Sequence, residues 1–146
     1  MQPWELDKTK KEIASVVFGF FEAGKNKDLA VLSKFHAPSS FFTKFDENPP
    51  YTRQDSEEAF VYEQASFANI SDYSYEIENL RVDLIGAAAV ATFYLKYRGI
   101  FVNDYSFEGR TVASRSRVTM VLAKFQSEWK IVHSHFSSIP ERLPQK

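Results

Sequence analysis

The stretch Arg117-Val-Thr119-Met-Val-Leu-Ala-Lys-Phe-Gln126-Ser-Glu-Trp129-Lys-Ile-Val-His133-Ser-His135-Phe-Ser-Ser-Ile-Pro140 decides the fold. It predicts two strands joined by a tight turn at Gln126-Ser127-Glu128 and stopped at Pro140. Apolar and polar residues alternate on both sides of that turn, so each strand turns one face to a core and one outward. A turn with one bulged residue brings Val118, Met120 and Leu122 beside Val132, Ser134 and Phe136 as the concave, core-facing side. A plain two-residue turn shifts the register by one and exchanges the partners. The opposite face then carries Arg115, Arg117, Trp129, Ile131, His133 and His135. Trp and Ile side by side on a sheet face left in water are economically explained by a second copy of the chain covering them. A homodimer is therefore expected, with those six residues at the seam.

Working outward, the preceding sequence reads as strand from Tyr73 to Ile85, Ala87 to Val102 and Ser106 to Phe125, with turns at Gly86 and at Asn103-Asp104. Before them come helices. Ile13, Val16, Val17, Phe20 and Phe21 recur at helical spacing. Thr9 and Glu12 suit a capping box at the start of that helix, and Gly24 suits its end. A short helix from about Asp28 to Phe35 follows, closed by Pro38, then a strand over Ser40–Phe45. Pro49 and Pro50 make the next segment a loop. A third helix runs from Ser56 to Asn69. Helices first and long antiparallel strands afterward give an α+β pattern. With no internal repeat or linker, residues 1–146 are read as a single domain.

The motif R-x-T, a hairpin, then W-K-I-V-H-x-H-x-S resembles the closing hairpin of SnoaL-like proteins of the nuclear-transport-factor and ketosteroid-isomerase superfamily. The association domain of calcium/calmodulin-dependent kinases ends in a similar way. The resemblance implies three N-terminal helices and a strongly bent antiparallel sheet wrapped round the first of them, a cystatin-like cone. It also implies dimerisation through the outer sheet face. Matching strands to the kinase association domain implies that the Tyr94 side of its strand faces the cavity, where Tyr94 and Lys96 offer a phenol donor and a cation to a ligand; Lys96 is read instead as reaching water at the sheet edge.

Composition sets bounds on the chemistry. The chain has 146 residues, 44% of them hydrophobic and 25% charged, with 14 Phe and 7 Tyr. Rings on this scale suit a roomy apolar interior and equally a Phe-rich core. A net charge of −1 gives no pull toward nucleic acid or acidic membranes. No Cys is present, which removes disulfides, thiolate nucleophiles and zinc-thiolate sites. The opening residues lack a signal-peptide pattern and no segment is apolar enough to span a bilayer, so a cytoplasmic location is expected. Five Gly and no G-x-S-x-G elbow exclude a phosphate-cradling loop and a hydrolase nucleophile of that kind.

His133-x-His135 points two imidazoles the same way, but a third ligand at a suggestive spacing is missing, so no metal and no cofactor are expected. Where these histidines meet Arg115 and Arg117 across a dimer seam, the like charge is expected to shift their titration and weaken dimerisation below neutral pH. The ketosteroid-isomerase constellation is mostly absent. Thr43, or Asp46 at a stretch, stands near its base position, and the Phe18-Phe20-Phe21 group replaces the expected Tyr. SnoaL-type cyclases imply acid–base work by Asp and His, for which His36, Asp46 and Glu63 are the candidates. His36 also suits a helix C-terminus, and Glu63 also reads as a solvated helix carboxylate. Tyr62 and Arg53 are placed at the mouth. The pocket residues expected are Phe20, Thr43, Tyr62, Tyr94, Met120, Ser134 and Phe136. The function expected is binding of a small hydrophobic, carbonyl-bearing ligand, with cofactor-independent isomerase, cyclase or lyase chemistry. The alternative is a non-catalytic dimerisation or accessory module.

Overall fold

The computed structural model describes residues 2–102 and 109–140. The elements run α1 (Pro3–Lys25), α2 (Leu29–Lys34), a 3-10 turn (Ser39–Phe41), β1 (Thr43–Phe45), β2 (Arg53–Gln54), α3 (Ser56–Asn69), β3 (Ile70–Ile85), β4 (Ala88–Val102), β5 (Gly109–Phe125) and β6 (Glu128–Ser138). The turn expected at Asn103-Asp104 and the strand start expected at Ser106 lie outside the described residues. The six strands form one sheet in the order β2-β1-β6-β5-β4-β3, antiparallel throughout except for the parallel pair β1–β6.

The α+β architecture is as the sequence predicts, and the differences are local. The first helix begins at Pro3 rather than near Thr9. Proline fits a first helical position because no backbone N–H is needed there and its φ is already helical. Thr9 bonds back to the Glu5 carbonyl within the helix instead of capping it. Gly24 is the next-to-last residue of α1, and it is Lys27 that takes the left-handed conformation after the helix, at φ 56°. Gly24 serves close packing: a Cβ there would stand 2.5 Å from the Phe67 ring. The strand expected over Ser40–Phe45 is a 3-10 turn followed by only three strand residues.

Bending of the sheet has identifiable causes. Strand β3 slips register between Ser71 and Ser74 and again between Glu78 and Arg81. Asp72 and Asn79 take the left-handed conformation at those bulges, which Asx residues tolerate best after Gly. The closing hairpin turns on two residues, Gln126 and Ser127, both at positive φ, with Phe125 paired to Glu128. The bulge sits further along, where Val121 pairs with His133 but Leu122 with Ile131, leaving Val132 as the extra residue.

That position of the bulge sorts the faces. Val118 opposite Phe136 and Met120 opposite Ser134 lie on the concave side, all buried. Before the bulge the parity is reversed. Ile131 is fully buried and Trp129 packs against the core, so both turn inward and leave the outer face where the seam was expected. Along β4 the inward residues are Ala89, Ala91, Phe93 and Leu95. Tyr94 therefore points outward, where the Arg115 guanidinium lies 4.8 Å from its ring centre. The core joins these residues to Ile13, Val17, Phe20 and Phe21 of α1. No helix of the described residues is long and apolar enough to cross a membrane.

Candidate active site

Between α1, α3 and the concave face of the sheet lies a cavity of about 110 Å³. Its walls are largely aromatic. Phe20 and Phe21 come from α1, Tyr62 and Phe67 from α3, Tyr73 from β3, Tyr97 and Phe101 from β4, and Phe136 from β6. Tyr62, Glu63, Ser66 and Phe67 share one face of α3, as helical spacing requires. Tyr62, Ser66 and Asn48 are exposed and mark the mouth.

At the inner wall stands a buried charge cluster. Lys44 is 6% exposed and Glu63 is 4% exposed. The Lys44 Nζ donates to Glu63 Oε1 at 3.1 Å, and the His36 Nε2 lies 2.8 Å from Glu63 Oε2. Strand pairing fixes Lys44: in β1, Thr43 and Phe45 face outward while Lys44, opposite Ser134 and Gln54, turns inward. The ammonium also stands 4.7 Å from the centre of the Phe136 ring, a cation–π contact in a desolvated setting. His36 is held by its backbone, since residues 35–37 bond on both sides of Ile131. Its ring lies over Phe42 with centroids 3.9 Å apart. Burial pushes the Glu63 carboxyl up, but the Lys44 charge and the His36 hydrogen bond outweigh it and hold Glu63 below the usual carboxylate range. Among the described residues Glu63 is the only hydrogen-bond acceptor of the Lys44 ammonium, which has three N–H donors. Two N–H groups thus remain at the cavity wall.

A second carboxylate lies nearer the mouth. Glu47 Oε2 accepts from Ser116 at 2.6 Å and Ser138 at 3.0 Å, while among the described residues Oε1 receives only a long contact, 3.4 Å, from Tyr97. Asp46 lines the same wall and accepts the Glu47 backbone N–H. Burial raises the Tyr97 phenol, and the nearby Glu47 and Asp46 charges add to the effect. Tyr73 is likewise pushed up, first by burial.

Of the residues singled out from sequence, Phe20, Tyr62, Phe136, Asp46 and Glu63 line this cavity. His36 stands behind Glu63. Met120 and Ser134 are buried on the concave face but do not line the cavity. Thr43 is turned to the outer face, where its Oγ1 meets His133 Nδ1 at 2.9 Å, and Tyr94 is outside as well. Sequence reading passed over Lys44, Glu47, Tyr73 and Tyr97. The ordinary sequence signal for Tyr97 is the parity of β4, once Phe93 and Leu95 are placed inward.

On the outer face Arg115, Arg117, His133 and His135 remain as expected from parity. The His133 imidazole titrates below its ordinary range, chiefly through burial and then through His135 and Arg53. Within one chain Arg115 pairs with Glu78 at 3.2 Å and Arg117 bonds Ser137 at 3.1 Å. Among the described residues no three His, Asp or Glu side chains converge as metal ligands.

A bent sheet wrapped on helices around an aromatic cavity defines the class of cystatin-like, nuclear-transport-factor-like α+β proteins. The chain belongs to the SnoaL-like domain family, whose model matches residues 13–141. Similar solved structures carry the same fold. A nuclear transport factor 2-like superfamily protein from Salmonella enterica is 18% identical, covering 93% of this chain and 94% of its own, with a TM-score of 0.79. A candidate dehydratase of the same family from Streptomyces avermitilis is 18% identical over 91% and 97%, with a TM-score of 0.77. The association domain of C. elegans CaMKII is 20% identical over 90% and 96%, with a TM-score of 0.69. No curated protein matches the chain.

Proposed function

We propose that this SnoaL-like protein binds a small hydrophobic, carbonyl-bearing metabolite and moves a proton on it, as an isomerase or dehydratase does, without a cofactor. The observation that supports this is the His36–Glu63–Lys44 cluster in the wall of an aromatic cavity. A ligand carbonyl oxygen can accept one of the two remaining Lys44 N–H groups. Negative charge that builds on that oxygen as an α-proton leaves is then stabilised by a fixed cation in a water-poor site. Glu63 is the carboxylate beside it and takes the proton. Its depressed range makes it a weaker base, which Lys44 offsets by stabilising the oxygen on which the negative charge develops. His36 holds the second carboxylate oxygen and so fixes the orientation of the base. The test uses hydrophobic ketones in D₂O, with α-proton exchange read by NMR and binding read by thermal shift. Wild type is expected to accelerate exchange of at least one ketone it binds, and Glu63→Gln to slow it by about 100-fold or more. Ketones that bind without accelerated exchange reject the catalytic role, and ketones that neither bind nor exchange reject the pocket reading.

A second reading rests on the outer sheet face and on the likeness to a kinase association domain. It makes the protein a homodimer, with Arg115, Arg117, His133 and His135 at the seam and Trp129 and Ile131 beneath it in the core. Light scattering of the purified protein decides it, since a monomer at micromolar concentration rejects the seam.

A further inference from the structure

The cavity has a charge pattern that its proposed chemistry does not use. Among the described residues its lining holds one cation, Lys44, against three carboxylates, Asp46, Glu47 and Glu63, a net of −2. The cation is not free to offset the others, because Glu63 is its hydrogen-bonded partner. The surplus negative charge is therefore at Asp46 and Glu47, close to the phenol of Tyr97. Hydroxyl groups bond Glu47 but do not neutralise it, and among the described residues its Oε1 has only the long Tyr97 contact. Glu47 meets the hydroxyl of Tyr97, and beyond it the cavity wall is aromatic: Tyr73 and Tyr97 stand with ring centroids 6.2 Å apart, and Phe67 lies 5.6 Å from Tyr73. Aromatic faces beside a carboxylate attract a cation by ring quadrupole and by charge together. A carboxylate ligand meets the opposite: Lys44 is already paired, and two further anions repel it.

We infer that the ligand of this cavity is an amphipathic amine, with its ammonium between Glu47 and the Tyr73–Tyr97 faces and a neutral acceptor at Lys44. This rests on the reading above only in taking this cavity as the ligand site, and it makes the substrate class an amino-carbonyl compound rather than an acid. Neither Glu47 nor the tyrosine pair needs to take part in proton transfer for it to hold.

The test is a matched series on one skeleton: 3-phenylpropylamine, 3-phenylpropan-1-ol and 3-phenylpropanoate, titrated into the 146-residue protein by calorimetry at pH 7. The amine is expected to bind roughly tenfold or more tighter than the carboxylate, with the alcohol between them. Glu47→Gln is expected to reduce the amine-to-alcohol ratio about fivefold or more. Asp46→Asn, which leaves the Ser116 and Ser138 bonds in place, supplies the same readout if Glu47→Gln does not fold. A carboxylate that binds as tightly as the amine overturns the inference, as does an amine preference that survives in the variants. Binding of the alcohol with no preference between charges overturns it while leaving the pocket standing. No binding of any of the three at about 5 mM overturns both.

Discussion

Replacing Lys44 with Met removes the charge and keeps most of the side-chain volume, which isolates the electrostatic contribution of the buried pair. At 3.1 Å the Nζ–Oε1 attraction is about 5 kcal/mol at an effective dielectric of about 20. Most of this offsets the desolvation of both ions, so the intact pair contributes little net stability. Breaking it is different, because Glu63 remains buried with His36 alone, and such losses run about 3–5 kcal/mol. For a chain of this size that is a fall in Tm of roughly 6–20 °C. Urea unfolding at pH 7 reads the loss directly. In the wild type Glu63 lies below its unfolded range, so its contribution is present above the unfolded pKa and lost as pH falls through the folded one. In Lys44→Met the dominant remaining influence is burial, which raises the carboxyl, so the variant is penalised as pH rises and recovers toward pH 5. The double variant Lys44→Met/Glu63→Gln, with no stranded charge, is expected to regain about 2 kcal/mol over the single one. A single variant that loses less than about 1 kcal/mol at pH 7, or whose loss is the same at pH 5, refutes the reasoning.

Two further predictions concern the closing hairpin and the outer face. Gln126-Ser127→Asn-Gly relieves two non-glycine residues held at φ 50° and 70°, and is expected to stabilise by about 1 kcal/mol, read as a higher urea midpoint at unchanged slope. The His133 ring, depressed first by burial, is expected to titrate by NMR below an ordinary histidine, so its share of stability is kept at neutral pH and lost as pH falls below the unfolded value. Arg53→Ala is expected to move that titration upward, and a midpoint at or above the ordinary value in the wild type contradicts the placement.

How much the sequence reveals follows from the length of each pattern. Strands of eleven residues or more carry enough alternation to place Val118, Met120, Ser134 and Phe136 together inside. One bulge at Val132 suffices to invert everything before it, and nothing in the composition of Trp129-Lys-Ile-Val132 marks where the extra residue falls. That is why Ile131 and Trp129 are found in the core. Strand β1 has three residues, too few for parity to be read, so Lys44 looks like any solvated lysine and Thr43 takes its place in the pocket. Glu63 is visible as a candidate, but the apolar residues of α3 are spread round the helix, with Ala59 buried and Val61 exposed, and do not mark its inward side. A buried carboxylate there has the same sequence signature as an exposed one until its partners, 19 and 27 residues earlier in the chain, are seen beside it.

The parallel pairing of β1 with β6 also governs when the site can exist during synthesis. Thr43, Lys44 and Phe45 pair with His133, Ser134 and His135, some 90 residues later, and their only other strand partner is the two-residue β2. Helix α1, with 23 residues, can form largely from local contacts as it leaves the ribosome, whereas β1 has almost no template until β6 is made. Loop closure over that distance comes late because its entropy must be met before its contacts form. Lys44 is therefore without its strand template until β6 has been made, and the charge cluster is among the last parts of this fold to be assembled.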